Sequence, residues 1–289
     1  MNRKDFIALS SLGFLGLYAC GTSNMMNNRK PLSVQLYTVR DAISDNLEKA
    51  LEKLAELGFN QVEIYGYDGT FFGKTRTEFQ SILKNVGLEV ISSHHTTGIV
   101  HNNNKGTLLN DWEKSVEDLH FIGSQYMVCS YLFEEERTLE HYKKLPKLLN
   151  QSGEITKKGG IQFAYHNHDF EFEKFDEITF YDFILDNTSA DLVKMELDIY
   201  WMAKAGLNPL NYFEKYHKRF PLWHVKDMKA GTKDFTEIGN GTIDFKTIFE
   251  AREKAGLKHW FVEQDSSDKD MFESLKISTD YIAKNNFFK

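Results

Sequence analysis

The sequence contains little cysteine and little proline. Only two cysteines, Cys20 and Cys129, occur in 289 residues, together with four prolines. If Cys20 carries a lipid, as argued below, Cys129 is left alone and no intrachain disulfide can form. The fold must then be held by its hydrophobic core, which a chain of this length can build. The chain also lacks low-complexity runs, so nothing in it indicates a linker between two domains.

An excess of positive charge and a long apolar run are also missing. The net charge is −7, and nucleic-acid partners usually require a basic face. The apolar stretch from Ile7 to Ala19 is too short to span a bilayer comfortably, and no apolar run resumes after Cys20. We therefore expect no nucleic-acid partner and no transmembrane helix.

The first twenty residues are typical of an export signal. Arg3-Lys4 precedes the apolar stretch Ile7–Ala19, and Leu17-Tyr18-Ala19-Cys20 looks like a lipobox, in which the cysteine is acylated. An amphipathic helix of the fold is the alternative interpretation. We predict a signal peptide over residues 1–19, a polar tether over 20–30 and one domain over 31–289. The expected location is the periplasm or cell envelope, with a lipid on Cys20 as the only membrane attachment.

From residue 31 onward, a short apolar run, a turn and a helical period repeat to the end. The eight predicted strands are Ser33–Thr38, Gln61–Tyr65, Leu88–His94, Tyr126–Tyr131, Ile161–His166, Val193–Asp198, Leu222–Lys226 and Trp260–Glu263. After the first strand, apolar residues from Ile43 to Leu57 are spaced by three and four, which predicts one helix ending at Gly58. Eight such units predict a single closed (β/α)₈ TIM barrel. An open doubly wound sheet would favour a glycine-rich loop where Tyr37-Thr38-Val39-Arg40-Asp41 stands.

Active sites of such barrels lie at the carboxyl ends of the strands, and this chain has histidines and acids there. The segments are Ser92-Ser93-His94-His95, His166-Asn167-His168-Asp169, Glu196-Leu197-Asp198, His224-Val225-Lys226-Asp227 and Glu263-Gln264-Asp265. Residues two apart on a strand share a face, so many charged groups meet in a narrow rim. That arrangement is costly unless something pairs the charges. One divalent cation would pair them, and mixed imidazole and carboxylate ligands suit Mn, Co, Fe, Zn or Mg.

These segments resemble the xylose-isomerase-like TIM-barrel family of sugar phosphate isomerases, epimerases and dehydratases. Further marks of the family are Ser33-Val34-Gln35-Leu36-Tyr37-Thr38 and Gly239-Asn240-Gly241-Thr242-Ile243-Asp244-Phe245. The resemblance implies a metal held by one residue from each of the last four strands, here His166, Asp198, His224 and Glu263. Many members carry Glu in the fifth strand, where this chain has His-Asn-His, so His168 is the alternative ligand.

Other strand-end residues are assigned roles around this centre. We predict Glu263, Lys226 and Glu63 as catalytic residues, and His95, His168 and Tyr37 as substrate-binding residues. Glu171 and Glu173 are expected to face solvent. The Gly239–Gly241 stretch is interpreted as a tight loop rather than an anion cradle, because it lacks the strand-to-helix phosphate pattern.

The predicted chemistry is removal of a proton next to a carbonyl. A cation polarises the carbonyl, and Glu263 or Lys226 takes the proton. The first hypothesis is a metal-dependent isomerase or epimerase of a sugar, acting through an enediolate. The second is a lyase or hydratase acting on a keto-sugar or keto-glycoside. The third is a sugar-binding lipoprotein without catalysis. In every case the partner is a small sugar; the sequence makes no prediction of the oligomer.

Overall fold

The computed structural model describes residues 31–175 and 178–288. The predicted signal peptide, lipidated Cys20 and tether lie outside these residues. The described chain contains a closed barrel of eight parallel strands, which confirms the predicted (β/α)₈ fold. The barrel strands are β1 (Ser33–Gln35), β2 (Gln61–Ile64), β3 (Glu89–Thr96), β4 (Tyr126–Tyr131), β5 (Gln162–His166), β8 (Val193–Asp198), β9 (Leu222–Val225) and β12 (His259–Val262). Around the barrel they follow the order β1-β12-β9-β8-β5-β4-β3-β2.

Two short antiparallel hairpins lie in the loops of the described chain. One pairs β6 (Lys174–Phe175) with β7 (Ile178–Thr179), and the other pairs β10 (Asp227–Met228) with β11 (Phe235–Thr236). The second hairpin begins directly after β9 and therefore stands at the carboxyl end of the barrel.

Helices cover the outside of the sheet. They are α1 (Arg40–Asp45), α2 (Leu47–Glu56), α3 (Arg76–Val86), α4 (Trp112–Phe121), α5 (Leu139–Lys158), α6 (Phe180–Asn187), α7 (Ile199–Lys204), α8 (Pro209–Lys215), α9 (Phe245–Glu250), α10 (Arg252–Ala255) and α11 (Met271–Lys284). None of the helices in the described chain is long and apolar enough to cross a membrane.

The structure corrects two boundaries near the start of the barrel. The first strand ends at Gln35, because Leu36–Val39 turns into a 3₁₀ helix. The single helix predicted next is two helices, α1 and α2. Asn46 separates them with an extended backbone, and its side chain accepts a hydrogen bond from the Lys49 N–H at the start of α2. Asparagine is a favoured cap because it satisfies an otherwise free helical donor.

The core has two layers. Large side chains between sheet and helices form the outer layer, in which the rings of Phe213 and Trp223 stack with centroids 5.2 Å apart. A smaller layer fills the inside of the barrel, and its members are Ile91, Val128, Ala164, Leu222 and Phe261. The His224 ring meets the Phe261 ring edge-on at 6.0 Å. The apolar inner layer therefore lies directly beneath the polar strand ends.

Candidate metal centre

Four predicted ligands converge at the carboxyl end of the barrel. His166 and Asp198 end β5 and β8, His224 lies on β9, and Glu263 follows β12. Each offers one nitrogen or oxygen atom, and these four atoms all lie within 4.8 Å of one another. All four residues are buried. Two histidines and two carboxylates at this spacing can hold one divalent cation.

Local structure aims each ligand atom inward. Asp198 caps α7, since its Oδ1 accepts a hydrogen bond from the Trp201 N–H at 2.9 Å, and this leaves Oδ2 facing the cluster. The His166 ring is held through Nδ1, which lies 3.2 Å from the Ser130 carbonyl oxygen, so that Nε2 faces Asp198. A metal-binding imidazole is commonly fixed in this way through its other nitrogen.

The donor atoms fit a cation better than they fit one another. His166 Nε2, Asp198 Oδ2, His224 Nδ1 and Glu263 Oε2 are buried, and none of them makes a well-oriented hydrogen bond. They nevertheless crowd together: His224 Nδ1 lies 2.5 Å from Glu263 Oε2, and His166 Nε2 lies 3.4 Å from Asp198 Oδ2. Buried polar atoms normally find a partner. A shared cation would satisfy all four at once.

A second polar group lies behind His224. Glu63 Oε2 is 2.6 Å from His224 Nε2 and 3.0 Å from His94 Nε2, and it accepts a 2.7 Å hydrogen bond from the Gln35 amide. Glu196 Oε2 lies 2.8 Å from His94 Nε2. Burial would raise the pKa of Glu63, but the adjacent His94 and His224 hold it well below its usual range. The glutamate oxygens and imidazole nitrogens of this inner group are hydrogen-bonded to one another, in contrast to the four ligand atoms.

Glu63 lies within this inner group, behind the predicted ligand His224. Glu63 has no exposed surface, and it can orient His224 through their 2.6 Å contact. This place favours a positioning role, and the direct catalytic role of Glu63 stays a prediction. His94 and Glu196 belong to the same inner group, although no role was predicted for either. His94 lines the cavity and contacts both glutamates.

Lys226 lies beside the cluster and is almost completely buried. Its Nζ is 3.0 Å from Asp198 Oδ2, 2.8 Å from Glu263 Oε2 and 3.3 Å from Asp265 Oδ2. Burial alone would lower the pKa of Lys226, but these carboxylates hold it well above its ordinary value. The ammonium therefore lies at the cavity wall, where it can donate hydrogen bonds.

The three predicted substrate-binding residues all line the same cavity, which has a volume of about 870 Å³. Tyr37 stands at its mouth, with 41% of its surface exposed. His168 lies further in, with its ring 4.9 Å from that of His166, and it is outside the four-ligand cluster. His95 is fixed by a 2.7 Å contact of Nδ1 with the Gly106 carbonyl oxygen and by the edge of Trp112. Burial lowers the pKa of His95 to about 4.

Two other expectations concern acids and a loop near the site. Glu173 is exposed as expected, but Glu171 is fully buried and accepts hydrogen bonds from the Tyr165 hydroxyl and the His168 N–H. Burial raises the pKa of Glu171 to about 8. The Gly239–Gly241 stretch is a tight loop, and two of its N–H groups donate to Asp227 Oδ2 at 2.9 and 3.0 Å. The loop amides thus already hold a carboxylate of the chain itself.

A closed parallel barrel with a histidine–carboxylate cluster at its carboxyl end defines a class of metal-binding TIM barrels. Residues 51–281 match the family model described as xylose isomerase-like TIM barrel. The chain belongs to this family, as its strand-end motifs indicated.

Individual relatives support this assignment. The chain is 23% identical over 281 residues to an inosose dehydratase of Bacillus thuringiensis, covering 83% of this chain and 90% of that protein. A solved sugar phosphate isomerase/epimerase from Parabacteroides distasonis is 27% identical with a TM-score of 0.76, covering 90% of this chain and 96% of that one. A xylose isomerase-like barrel from Mycobacterium smegmatis in complex with magnesium shares the fold, at 15% identity and a TM-score of 0.65, over 88% of this chain and 95% of that chain. The first two of these relatives are thus named for a dehydratase and for an isomerase/epimerase activity.

Proposed function

We propose that this protein is a metal-dependent lyase that removes a proton next to the carbonyl of a keto-sugar or keto-cyclitol and then expels an oxygen substituent. The observation that carries the proposal is the convergence of four buried ligand atoms that make no well-oriented hydrogen bond. The inosose dehydratases among its relatives support the reaction class.

The chain's own residues divide the remaining work. A bound divalent cation supplies Lewis acidity to a substrate carbonyl. Glu263 reaches the cavity and is the carboxylate placed to take the proton. The ammonium of Lys226 forms an ion pair with Glu263 at 2.8 Å, so it is placed to donate to a nearby oxygen that gains negative charge.

The position of this pair favours elimination over epimerisation. Lys226 follows β9 and Glu263 follows β12, which are neighbouring strands. A base and a donor on one side of a substrate can remove a proton and protonate a leaving oxygen on the same face. Epimerisation needs a second proton carrier on the opposite face of the substrate. Many members of the family carry a glutamate in the fifth strand, where this chain has His166.

An isomerase or epimerase is the second candidate, and the Parabacteroides relative supports it. Both reactions begin with the same proton removal, so they are separated by their products. The metal is proposed only as a divalent cation, because a site of two imidazoles and two carboxylates accepts several.

Proton NMR in D₂O tests the proposal directly. Metal-loaded protein is incubated with a keto-cyclitol and with keto-hexoses, and we expect loss of one carbon-bound proton followed by an unsaturated or dehydrated product. Deuterium incorporation into an isomer or epimer instead would assign the second candidate. Failure to bind or be activated by any divalent cation would refute both reactions and leave a sugar-binding module.

Export remains a separate proposal based on residues 1–30. We infer that Cys20 is acylated and tethers the barrel to the cell envelope. Radiolabelled palmitate should enter the wild-type chain in its host and not a Cys20→Ser variant. Equal labelling of the two chains would refute the lipid anchor without affecting the proposed reaction.

A further inference from the structure

The cavity extends well beyond the metal cluster. Its volume of about 870 Å³ lies near the upper end of the roughly 300–1,000 Å³ typical of pockets for drug-sized ligands. A single sugar ring is much smaller than such a ligand. The four ligands occupy the side formed by β5, β8, β9 and β12, whereas the cavity also reaches Tyr37 after β1 and Tyr131 at the end of β4. There is room for a second ring beside a reacting sugar.

Aromatic rings line one wall of this extra space, from the metal cluster to the opening of the cavity. The His166 ring adjoins His168 at 4.9 Å, and His168 adjoins Tyr131 at 5.1 Å. Tyr131 in turn meets Phe133 at 5.4 Å and Phe170 at 6.0 Å. Tyr131 keeps 36% of its surface exposed, although it belongs to a ring cluster. An exposed aromatic face suits the apolar C–H face of a sugar or another ring.

The aromatic wall is fixed in place by Arg137. Its Nη2 donates to the Tyr131 hydroxyl at 2.7 Å, its Nε donates to the Leu132 carbonyl at 3.0 Å, and its guanidinium lies 3.7 Å from the centre of the Phe170 ring. A side chain held in this way loses little freedom when a ligand arrives, which favours binding.

The basic groups of the cavity are not arranged for a phosphate. Arg40 donates to the backbone oxygens of Tyr37 and Asp265, as Arg137 does to protein groups, and Lys226 is surrounded by carboxylates. The fourth basic side chain, Lys105, lies in an exposed loop. Phosphate recognition commonly uses a free guanidinium fork. Among the described residues that line the cavity, the two arginines and Lys226 are therefore already engaged by protein groups, and the extra space favours an uncharged ring.

We propose that the substrate is a glycoside, with the reacting keto-sugar unit at the metal cluster and the second ring stacked on Tyr131, the exposed member of a platform that Phe133 and the buried Phe170 support edge-on. This inference rests on the proposed function for the reacting unit. It adds that the preferred ligands are disaccharides or aryl glycosides, and not free or phosphorylated monosaccharides.

Calorimetric titration of metal-loaded protein tests the platform without requiring turnover. The probes are glucose, glucose 6-phosphate, cellobiose, maltose, trehalose and 4-nitrophenyl glucoside. We expect at least one two-ring probe to bind about tenfold more tightly than either monosaccharide. Tyr131→Ala should remove most of that preference, whereas Tyr131→Phe should retain it, because the stacking face remains.

A matched control exists on α4. Phe121 is 40% exposed and has a guanidinium, that of Arg76, 4.6 Å above its ring, but it lies outside the cavity. Phe121→Ala should leave all affinities unchanged. Equal or tighter binding of the monosaccharides, no binding of any two-ring probe, or equal effects of Tyr131→Ala and Phe121→Ala would each overturn the inference.

The same variants separate this inference from the proposed function. Tyr131→Ala should keep its metal, because Tyr131 lies outside the four-ligand cluster. If the wild type exchanges no proton but prefers two-ring probes through Tyr131, the platform stands and the proposed lyase is wrong.

Discussion

Replacement of Asp198 by Asn should abolish the stabilisation that a divalent cation gives. Asp198 Oδ1 caps α7, and an asparagine keeps that acceptor. The change therefore removes only the anionic Oδ2 that faces the cluster. At a cation concentration 100 times its Kd, the wild type gains about 2.7 kcal/mol. For a domain of this size that corresponds to a Tm rise of about 5–11 °C.

The variant should lose nearly all of this rise. Loss of a residue that hydrogen-bonds to a metal ligand typically weakens metal affinity by about 10–100-fold. Loss of a ligand itself should weaken metal affinity at least as much. A 100-fold weaker site at the same cation concentration yields only about 0.4 kcal/mol. The assay is thermal denaturation of chelator-treated protein, with Mn, Co, Zn and Mg added in turn, together with metal analysis after gel filtration.

Asp270→Asn is the matched control for this experiment. Asp270 caps α11 through its Oδ1, which accepts hydrogen bonds from the Phe272 and Glu273 N–H groups, and it lies outside the metal cluster. The control should keep the full cation-dependent rise. The same Tm rise and metal stoichiometry in Asp198→Asn as in the control would refute the assignment of the cluster.

Three further substitutions test parts of the surrounding structure. Glu63→Gln should weaken metal affinity by about 10–100-fold in a chelator competition, because Glu63 orients His224; unchanged affinity would contradict that role. The folded-state pKa of Glu171 is about 8, above its ordinary 4.5, so the stability that its bound proton provides is complete below pH 4.5 and lost by about pH 8. Urea unfolding across this range should show that decline in the wild type and a smaller one in Glu171→Gln; parallel curves would argue against a protonated Glu171. Asp227→Ala should lower the free energy of unfolding by about 2–4 kcal/mol, because its carboxylate accepts from the N–H groups of Met228, Gly239, Gly241 and Ile243; a loss no larger than that in Asp270→Asn would contradict this account.

The barrel could be predicted because its strands are buried on both sides. Seven of the eight apolar runs end within two residues of an observed strand end, and the first was extended through a 3₁₀ turn. Because parallel strands deliver their last residues to one rim, the strand ends predicted a polar centre, and the family resemblance then selected the four ligands. The register places Asp198 directly opposite His224.

The two-residue alternation of side chains along a strand could not predict which of His94 and His95 points toward the metal cluster. Ile91 belongs to the inner layer of the barrel, so strict alternation would also place His95 inside. The pairing of β2 with β3 skips Ile91, since Val62 pairs with Val90 and Glu63 with Ser92. Such a β-bulge inserts one residue and reverses the alternation beyond it. His94 therefore faces the metal cluster, and His95 turns toward Trp112.

Glu171 was misjudged for a related reason. A charged residue in a loop is expected to face water, and no strand period applies there. The 3₁₀ turn Phe170–Phe172 instead folds the side chain inward, where the Tyr165 hydroxyl and the His168 N–H donate to it. These partners come from the turn geometry, which the composition of the segment does not encode. Burial of this acid also fixes the backbone of His168 at the cavity wall.

His224 belongs both to the four-ligand cluster and to the inner group that contains Glu63. His224 directs Nδ1 toward the four-ligand cluster and Nε2 toward Glu63, so the carboxylate on β2 decides which nitrogen is free to bind a cation. β2 and β9 are separated around the barrel by β1 and β12. If the four-ligand cluster binds a cation, we expect its affinity to depend on contacts across the barrel interior as well as on the ligands. A change that shifts β2 should weaken the metal site even though no ligand comes from that strand.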